Sequence, residues 1–331
     1  MLTGGVNTAD NLTATVNAGT VTPTLSAIEN LVISNITGNA GVNLINATGY
    51  TSIENSGSTS NLTVSNINST ATALKISSGA TSPTFSYTAA AVAGLSDAAT
   101  LTLSDVTGGT PVIAGVETLN VVSAGAPNTI VSSSIDATTL VTSGSQNLAL
   151  GALSTSTTVL NAAASTGTVS ATLGAVVSAT VTGGQGADTV TISAVTGNAV
   201  VSTGEGNDTI IAATNLTVTD TIDGGAGTGD RLTTTNTIAN VLDGATPTTT
   251  KISNIERLEI TDALDGTLVL ANISSGIDTV NLTVTGGAIM AGGDTITSPS
   301  TSLAVNLGGF ALLNTTGQMG GALTVVRRQL V

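Results

Sequence analysis

The chain has 331 residues, no Cys, His or Trp, and only 1% aromatic side chains. This excludes disulfides, Cys–His and Ser–His–Asp catalysis and the usual zinc sites, and it leaves Val, Ile, Leu and Ala to build the interior. A formal net charge of −14, from 20 acidic and 6 basic residues, argues against nucleic acid as a partner and favours cations, although a solubilising surface explains the sign equally well.

The N-terminus, Met1-Leu2-Thr3-Gly4-Gly5, lacks the charged and apolar regions of a secretory signal. The chain begins and ends in strand-like text and is expected to be a fragment of a longer protein. No apolar run reaches the ~18 residues of a membrane span, so no transmembrane segment is expected. Short alternating segments recur: Asn11-Leu12-Thr13-Ala14-Thr15-Val16, Asn61-Leu62-Thr63-Val64-Ser65, Thr100-Leu101-Thr102-Leu103-Ser104 and Asn281-Leu282-Thr283-Val284-Thr285. An apolar residue at every second place with Thr or Ser between is a half-buried strand, and Gly, Asn and Asp close the segments. Helical spacing is nearly absent; Thr88 to Leu95 and Phe310 to Leu313 are the two short helical candidates.

A phrase of apolar residue, Glu, any residue, Leu recurs as Ile28-Glu29-Asn30-Leu31, Val116-Glu117-Thr118-Leu119 and Ile255-Glu256-Arg257-Leu258, and begins again at Ile53-Glu54. Four of the six Glu residues occupy it. A corner, where Glu bonds turn amides or faces solvent, is favoured over a calcium ligand. The copies are unevenly spaced, which suggests irregular modules rather than one uniform solenoid.

A second phrase is more specific. Gly183-Gly184-Gln185-Gly186-Ala187-Asp188-Thr189-Val190-Thr191 is followed by Thr203-Gly204-Glu205-Gly206-Asn207-Asp208-Thr209-Ile210-Ile211. Both follow a glycine–aspartate pattern that reads as a calcium-binding turn and a short strand of a parallel β-roll. Glycines allow tight turns that present carbonyls, and a hard cation takes six to eight oxygens. Asp188 and Asp208 are separated by one coil of two strands and two turns, with Asn198 to Ser202 as the return strand. In the third copy, Gly224-Gly225-Ala226-Gly227-Thr228-Gly229-Asp230-Arg231-Leu232, the Asp arrives one residue late and Asp223 precedes the glycines as a substitute ligand. It reads as a degenerate final coil, and Gly292-Gly293-Asp294 is a weaker echo. The predicted calcium site draws on Gly184, Gly186, Asp188, Gly204, Gly206 and Asp208, with Asp223, Gly225, Gly227 and Asp230 from the third copy; metal-free hairpin turns are the plainer reading.

The expected fold is therefore all-β: elongated β-solenoid or β-sandwich-like modules with a short parallel β-roll. A Ser/Thr-rich β region spans 1–180, the calcium roll 181–235 and a β-rich C-terminal segment 236–331. Lys251, Arg257, Glu259, Asp262 and Asp265 form the one mixed charged cluster, read as a surface ion-pair patch. The frequent Asn-x-Ser/Thr sequons carry no weight in so Thr-rich a chain.

The two phrases and the composition resemble bacterial surface-layer (S-layer) proteins of the RTX type, which are calcium-binding and exported by type I secretion. The resemblance implies a non-enzymatic structural subunit at the bacterial cell surface, with calcium driving folding and self-assembly into a lattice or sheath. It implies the chain itself as partner, with cell-surface polysaccharide or lipopolysaccharide as a further candidate, and carboxylates of Asp188 and Asp208 with carbonyls of Gly184, Gly186, Gly204 and Gly206 as ligands. A module of a large RTX adhesin or biofilm protein is the alternative, and a polysaccharide-active β-helix enzyme a remote one.

Overall fold

The computed structural model describes residues 1–6, 10–244, 251–283, 294–300, 302–307 and 324–327. The chain divides into two compact units, Met1–Gly174 and Ala175–Val331. Both are parallel β-solenoids, together holding about 14 turns and about 6% helix.

In the first unit eight strands stack in chain order: Asn11–Val16, Asn30–Asn35, Ser52–Ser56, Ala73–Gly79, Ala98–Val106, Thr118–Ala124, Thr139–Gly144 and Val159–Ser165. A second sheet takes Gly19–Val21, Ala40–Asn43, Leu62–Ile67, Thr84–Tyr87, Val112–Ala114 and Ile135–Asp136, one strand from each of the first six intervening stretches. The chain thus coils, laying each strand parallel to its equivalent one coil earlier. The alternation read from the sequence is the cause. Leu31, Ile53, Leu74, Leu101 and Val121 share one register column, each at most 1% exposed, while the Thr, Ser and Asn between them face outward. Small aliphatic side chains stacked on their likes fill most of a thin interior, which also takes the rings of Phe85 and Tyr50, 1% and 6% exposed.

The spacing is uneven because coils absorb insertions. Asn30 pairs with Ser52 and Ser52 with Ala73, but Leu74 pairs with Leu101 across a longer excursion. That excursion contains the first helical candidate, Thr88 to Leu95, which is a set of turns and bends instead. Its amides are taken locally: Ala91 donates to the Thr88 carbonyl at 3.0 Å, and Gly94 to Asp97 Oδ2 at 2.9 Å. Such side-chain bonds compete with a helix. The second candidate, Phe310 to Leu313, lies outside the described residues, as do Gly292 and Gly293.

In the second unit one sheet holds Ala179–Thr182, Ala199–Ser202, Thr221–Asp223 and Lys251–Ser253. The other holds Thr189–Thr191, Thr209–Ala213, Arg231–Thr234, Arg257–Ile260, Thr279–Leu282 and Ala304–Leu307. The return strand expected at Asn198 to Ser202 is present as Ala199–Ser202. The glycine–aspartate coils and the next one share both of these sheets, while Thr267–Val269, Thr295–Ser298 and Thr324–Arg327 form a separate sheet. A helix the sequence did not announce, Asn236–Gly244, is inserted in the coil between Arg231–Thr234 and Arg257–Ile260. Thr235 caps it, accepting the Ile238 amide on its hydroxyl, and only Ala239 and Leu242 of its apolar residues are buried. Two inward apolar residues are too few for a periodicity signal. Among the described residues no helix is long and apolar enough to cross a membrane.

Candidate functional site

Asp188, Asp208, Asp230 and Glu256 immediately precede four successive stacked strands of the second unit and form one column. The Asp188 amide donates to Asp208 Oδ1 at 2.7 Å, the Asp208 amide to Asp230 Oδ1 at 2.7 Å, and the Asp230 amide to Glu256 Oε2 at 2.9 Å. At the head of the column Asp188 Oδ2 accepts the Gly184 amide at 2.8 Å. The carboxylates of Asp208, Asp230 and Glu256 therefore each reach back one coil and tie the corner before it, while that of Asp188 ties its own turn. Asp188, Asp208 and Asp230 are 1%, 1% and 0% exposed.

Asp230 is not displaced. Strand register pairs Thr209 with Arg231, so Asp230 stacks on Asp208. The extra residue of the third turn is taken up at Gly229, beyond Gly225 and Gly227, which lie over Gly204 and Gly206. A turn can bulge at little cost, whereas a one-residue slip in a strand would turn its buried face outward. The third copy is thus a full member of the file.

The glycines are required by the approach of one coil to the next. Gly206 has φ +121°, and a Cβ there would lie 2.7 Å from the Gly186 carbonyl oxygen; on Gly225, φ +85°, it would lie 2.0 Å from that of Gly204. Gly184 O accepts the Glu205 amide at 2.8 Å and Gly204 O the Ala226 amide at 2.7 Å, so these two proposed ligand carbonyls already serve the coil stack. A Cβ on Gly204 would fall 2.3 Å from Gly184 O and one on Gly227 2.1 Å from Gly206 O. Asp223 stands apart from the column: its Oδ1 accepts the Gly225 amide at 3.0 Å and the Asn254 side-chain amide at 2.7 Å.

The file carries an electrostatic deficit. Asp208 Oδ2 and Asp230 Oδ2 are buried and have no hydrogen-bond partner; the Thr203 hydroxyl near Asp208 donates to the Gly224 carbonyl at 2.8 Å. Burial pushes the Asp208 carboxyl from 3.8 up to about 6, against the pull of the Asp188 amide and the neighbouring Thr203 hydroxyl, and the charges of Asp188 and Asp230 push the same way as burial. Asp230 is also raised, by burial first, opposed by the Asp208 amide and reinforced by the negative charges of Glu256 and Asp223. Coils lie about 4.8 Å apart, and two like charges at that distance repel by roughly 3–4 kcal/mol at an effective dielectric of 20. A single amide bond to a carboxylate returns about 1.5–3 kcal/mol. The file therefore calls for a proton or a cation.

The donor set fits a hard cation: carboxylate and carbonyl oxygens, with no nitrogen or sulfur ligand. The acids stand one behind another instead of closing on one point, and among the described residues no three acidic side chains converge as a metal cluster.

Sequence reasoning missed that Glu256 continues the aspartate column. The signal was its place directly before a strand. The glutamate phrase is the corner it was expected to be at Glu29, Glu117 and Glu256, whose carboxylates accept the amides of Asp10, Asp97 and Asp230 at 3.0, 2.7 and 2.9 Å. Glu54 departs from it: it sits within Ser52–Ser56, pairs with Lys75 Nζ at 3.2 Å and accepts the Ser77 hydroxyl. In the mixed charged cluster Glu259 pairs with Arg231 at 2.8 Å, not with Lys251 or Arg257, because Arg231 lies one strand away on the same outward face. Asp294, the weaker echo, accepts the Gly266 amide at 2.9 Å before its own strand. Comparison with family models, curated proteins and solved structures finds no significant match to this chain.

Proposed function

We propose that this chain is a structural module of an extracellular bacterial surface layer, folded and stiffened by calcium at its glycine–aspartate turns. The observation that carries the reading is the buried column Asp188–Asp208–Asp230, with two carboxylate oxygens left without partners. Calcium would neutralise the file, and its folding would then depend on the ion. Outside the cell calcium is plentiful enough to keep such turns loaded, which suits a subunit assembled after export. The composition supports a structural rather than chemical role: the chain has no His and no Cys, and Glu29 and Glu117 serve as corner caps while Glu54–Lys75 and Arg231–Glu259 are ion pairs.

The test is calcium titration of the chelated protein, followed by circular dichroism, melting and particle size. Calcium should raise the melting temperature and drive ordered self-assembly, and chelation should dissolve the assemblies. Identical melting and assembly with and without calcium would overturn the proposal. A calcium-dependent melt without self-assembly would retain the clamp but remove the surface-layer role.

A further inference from the structure

The inserted helix of the second unit brings a different set of oxygens together, away from the aspartate column. Asn236 and Asn240 lie one turn apart on Asn236–Gly244 and share a face. Both side-chain amides donate to the same carbonyl, that of Asp265, at 3.5 and 3.1 Å. That carbonyl fixes the amide orientation, since the flipped amide would set oxygen against oxygen. Both Oδ1 atoms then lie on the side away from it, closed to solvent and without a hydrogen-bond partner. Asn236 is 7% exposed.

Beside them Asp262, from the loop after Arg257–Ile260, accepts the Asn236 backbone amide on Oδ1. This contact also neutralises the positive end of the helix, which would otherwise repel a cation. A buried acceptor left unpaired is destabilising, and two on adjacent turns of one helix point to an occupant. The available atoms are two neutral amide oxygens and a carboxylate, the ligand types of a hard divalent cation. We infer that the Asn236, Asn240 and Asp262 oxygens hold a second divalent cation of the calcium class, independent of the aspartate column, which pins the inserted helix to the loop at 261–266.

The experiment counts bound calcium by native mass spectrometry and follows binding by calorimetry, using the full chain in an Asp208→Asn, Asp230→Asn background that disables the column. One calcium should remain, and Asn240→Ala should remove it. Asn240→Asp, which adds a ligand charge, should tighten binding by about tenfold. This variant keeps the test decisive if Asn240→Ala fails to fold. Loss of one ion with alanine, or tighter binding with aspartate, supports the site. An unchanged count and affinity in both variants would overturn it, and bound water would then account for the two amide oxygens. The calcium column and this site fail separately, because the column is absent from the background.

Discussion

The two units solve the same corner problem with different chemistry. In the first, neutral amides and hydroxyls hold several buried corners, beside the less buried carboxylate corners at Glu29 and Glu117. Asn128 accepts the Val106 amide at 2.9 Å and donates to Ser123 Oγ, Ala124 O and Ala126 O, each at 2.9 Å. Asn35 donates to Gly38 O at 2.8 Å and Asn61 O at 2.6 Å while accepting from Thr37, and Thr142 pairs with Ser165 at 2.8 Å. In the second unit the corners at 188, 208, 230 and 256 are carboxylates. An amide both accepts and donates, so it can satisfy itself within the coil stack; a carboxylate only accepts, and the amide it ties leaves one oxygen over. The neutral corner completes itself with protein atoms, whereas the buried acidic corners at Asp208 and Asp230 each keep one oxygen without a protein partner and require something from solution.

The largest expected effect tests that contrast directly. Hydrogen exchange on the full chain should show that removing calcium lowers protection across 183–260 by roughly 4 kcal/mol, the stabilisation expected from a ligand at about a thousand times its dissociation constant. Protection across 98–144 should stay as it was. Equal losses in both regions would erase the distinction between them.

Exchanging the chemistry sharpens it. Asn128→Asp removes three donated bonds and buries a charge, so the first unit should lose about 3 kcal/mol in a denaturant melt, with no recovery on adding calcium. Recovery would show that any acidic corner recruits the ion, whatever its turn.

Turn geometry comes next. Gly206→Ala places a Cβ against the Gly186 carbonyl at a φ closed to other residues, and should destabilise the second unit by about 2–3 kcal/mol. Gly57→Ala, at φ +58° with nothing within 4 Å, should cost the first unit only about 1 kcal/mol. Similar costs would mean that the approach between coils places no special demand on the calcium turns.

The smallest effect carries an opposite sign. Asp208 has its folded pKa raised, so the folded state binds a proton more tightly than the unfolded one. Its stability cost is absent below about pH 4 and complete above about pH 6. The calcium-free protein should therefore melt higher at about pH 5 than at about pH 7.5, and Asp230 acts in the same direction. Asp208→Asn, which retains an acceptor for the Asp188 amide, should stabilise the calcium-free chain by about 1–2 kcal/mol at neutral pH, flatten its pH dependence and weaken calcium binding. A calcium-free protein less stable at about pH 5 would show that the column is not electrostatically strained.

The alternation of Asn61-Leu62-Thr63-Val64-Ser65 and its equivalents announced strands with one buried face, and the glycine–aspartate phrases announced tight turns a coil apart. The local character of each element was legible because it depends on neighbours two to six residues away. The inserted helix was not, since only Ala239 and Leu242 bury against the unit. The pairing of Glu259 with Arg231 was hidden as well, because it joins strands 28 residues apart in the chain.

By itself, the sequence determined an all-β chain, an interior that is mainly aliphatic, and three turns rich in glycine and aspartate. Only the tertiary structure decided that Asp230 is in register and that Glu256, from a different phrase, closes the same file. The physical reason lies in what sets phase. A period can be counted along the chain, but alignment between coils is fixed by strand hydrogen bonds and the two-residue pleat, and turns absorb whatever is left over. An aspartate that looks one residue late beside its glycines is on time when measured from the strand that follows.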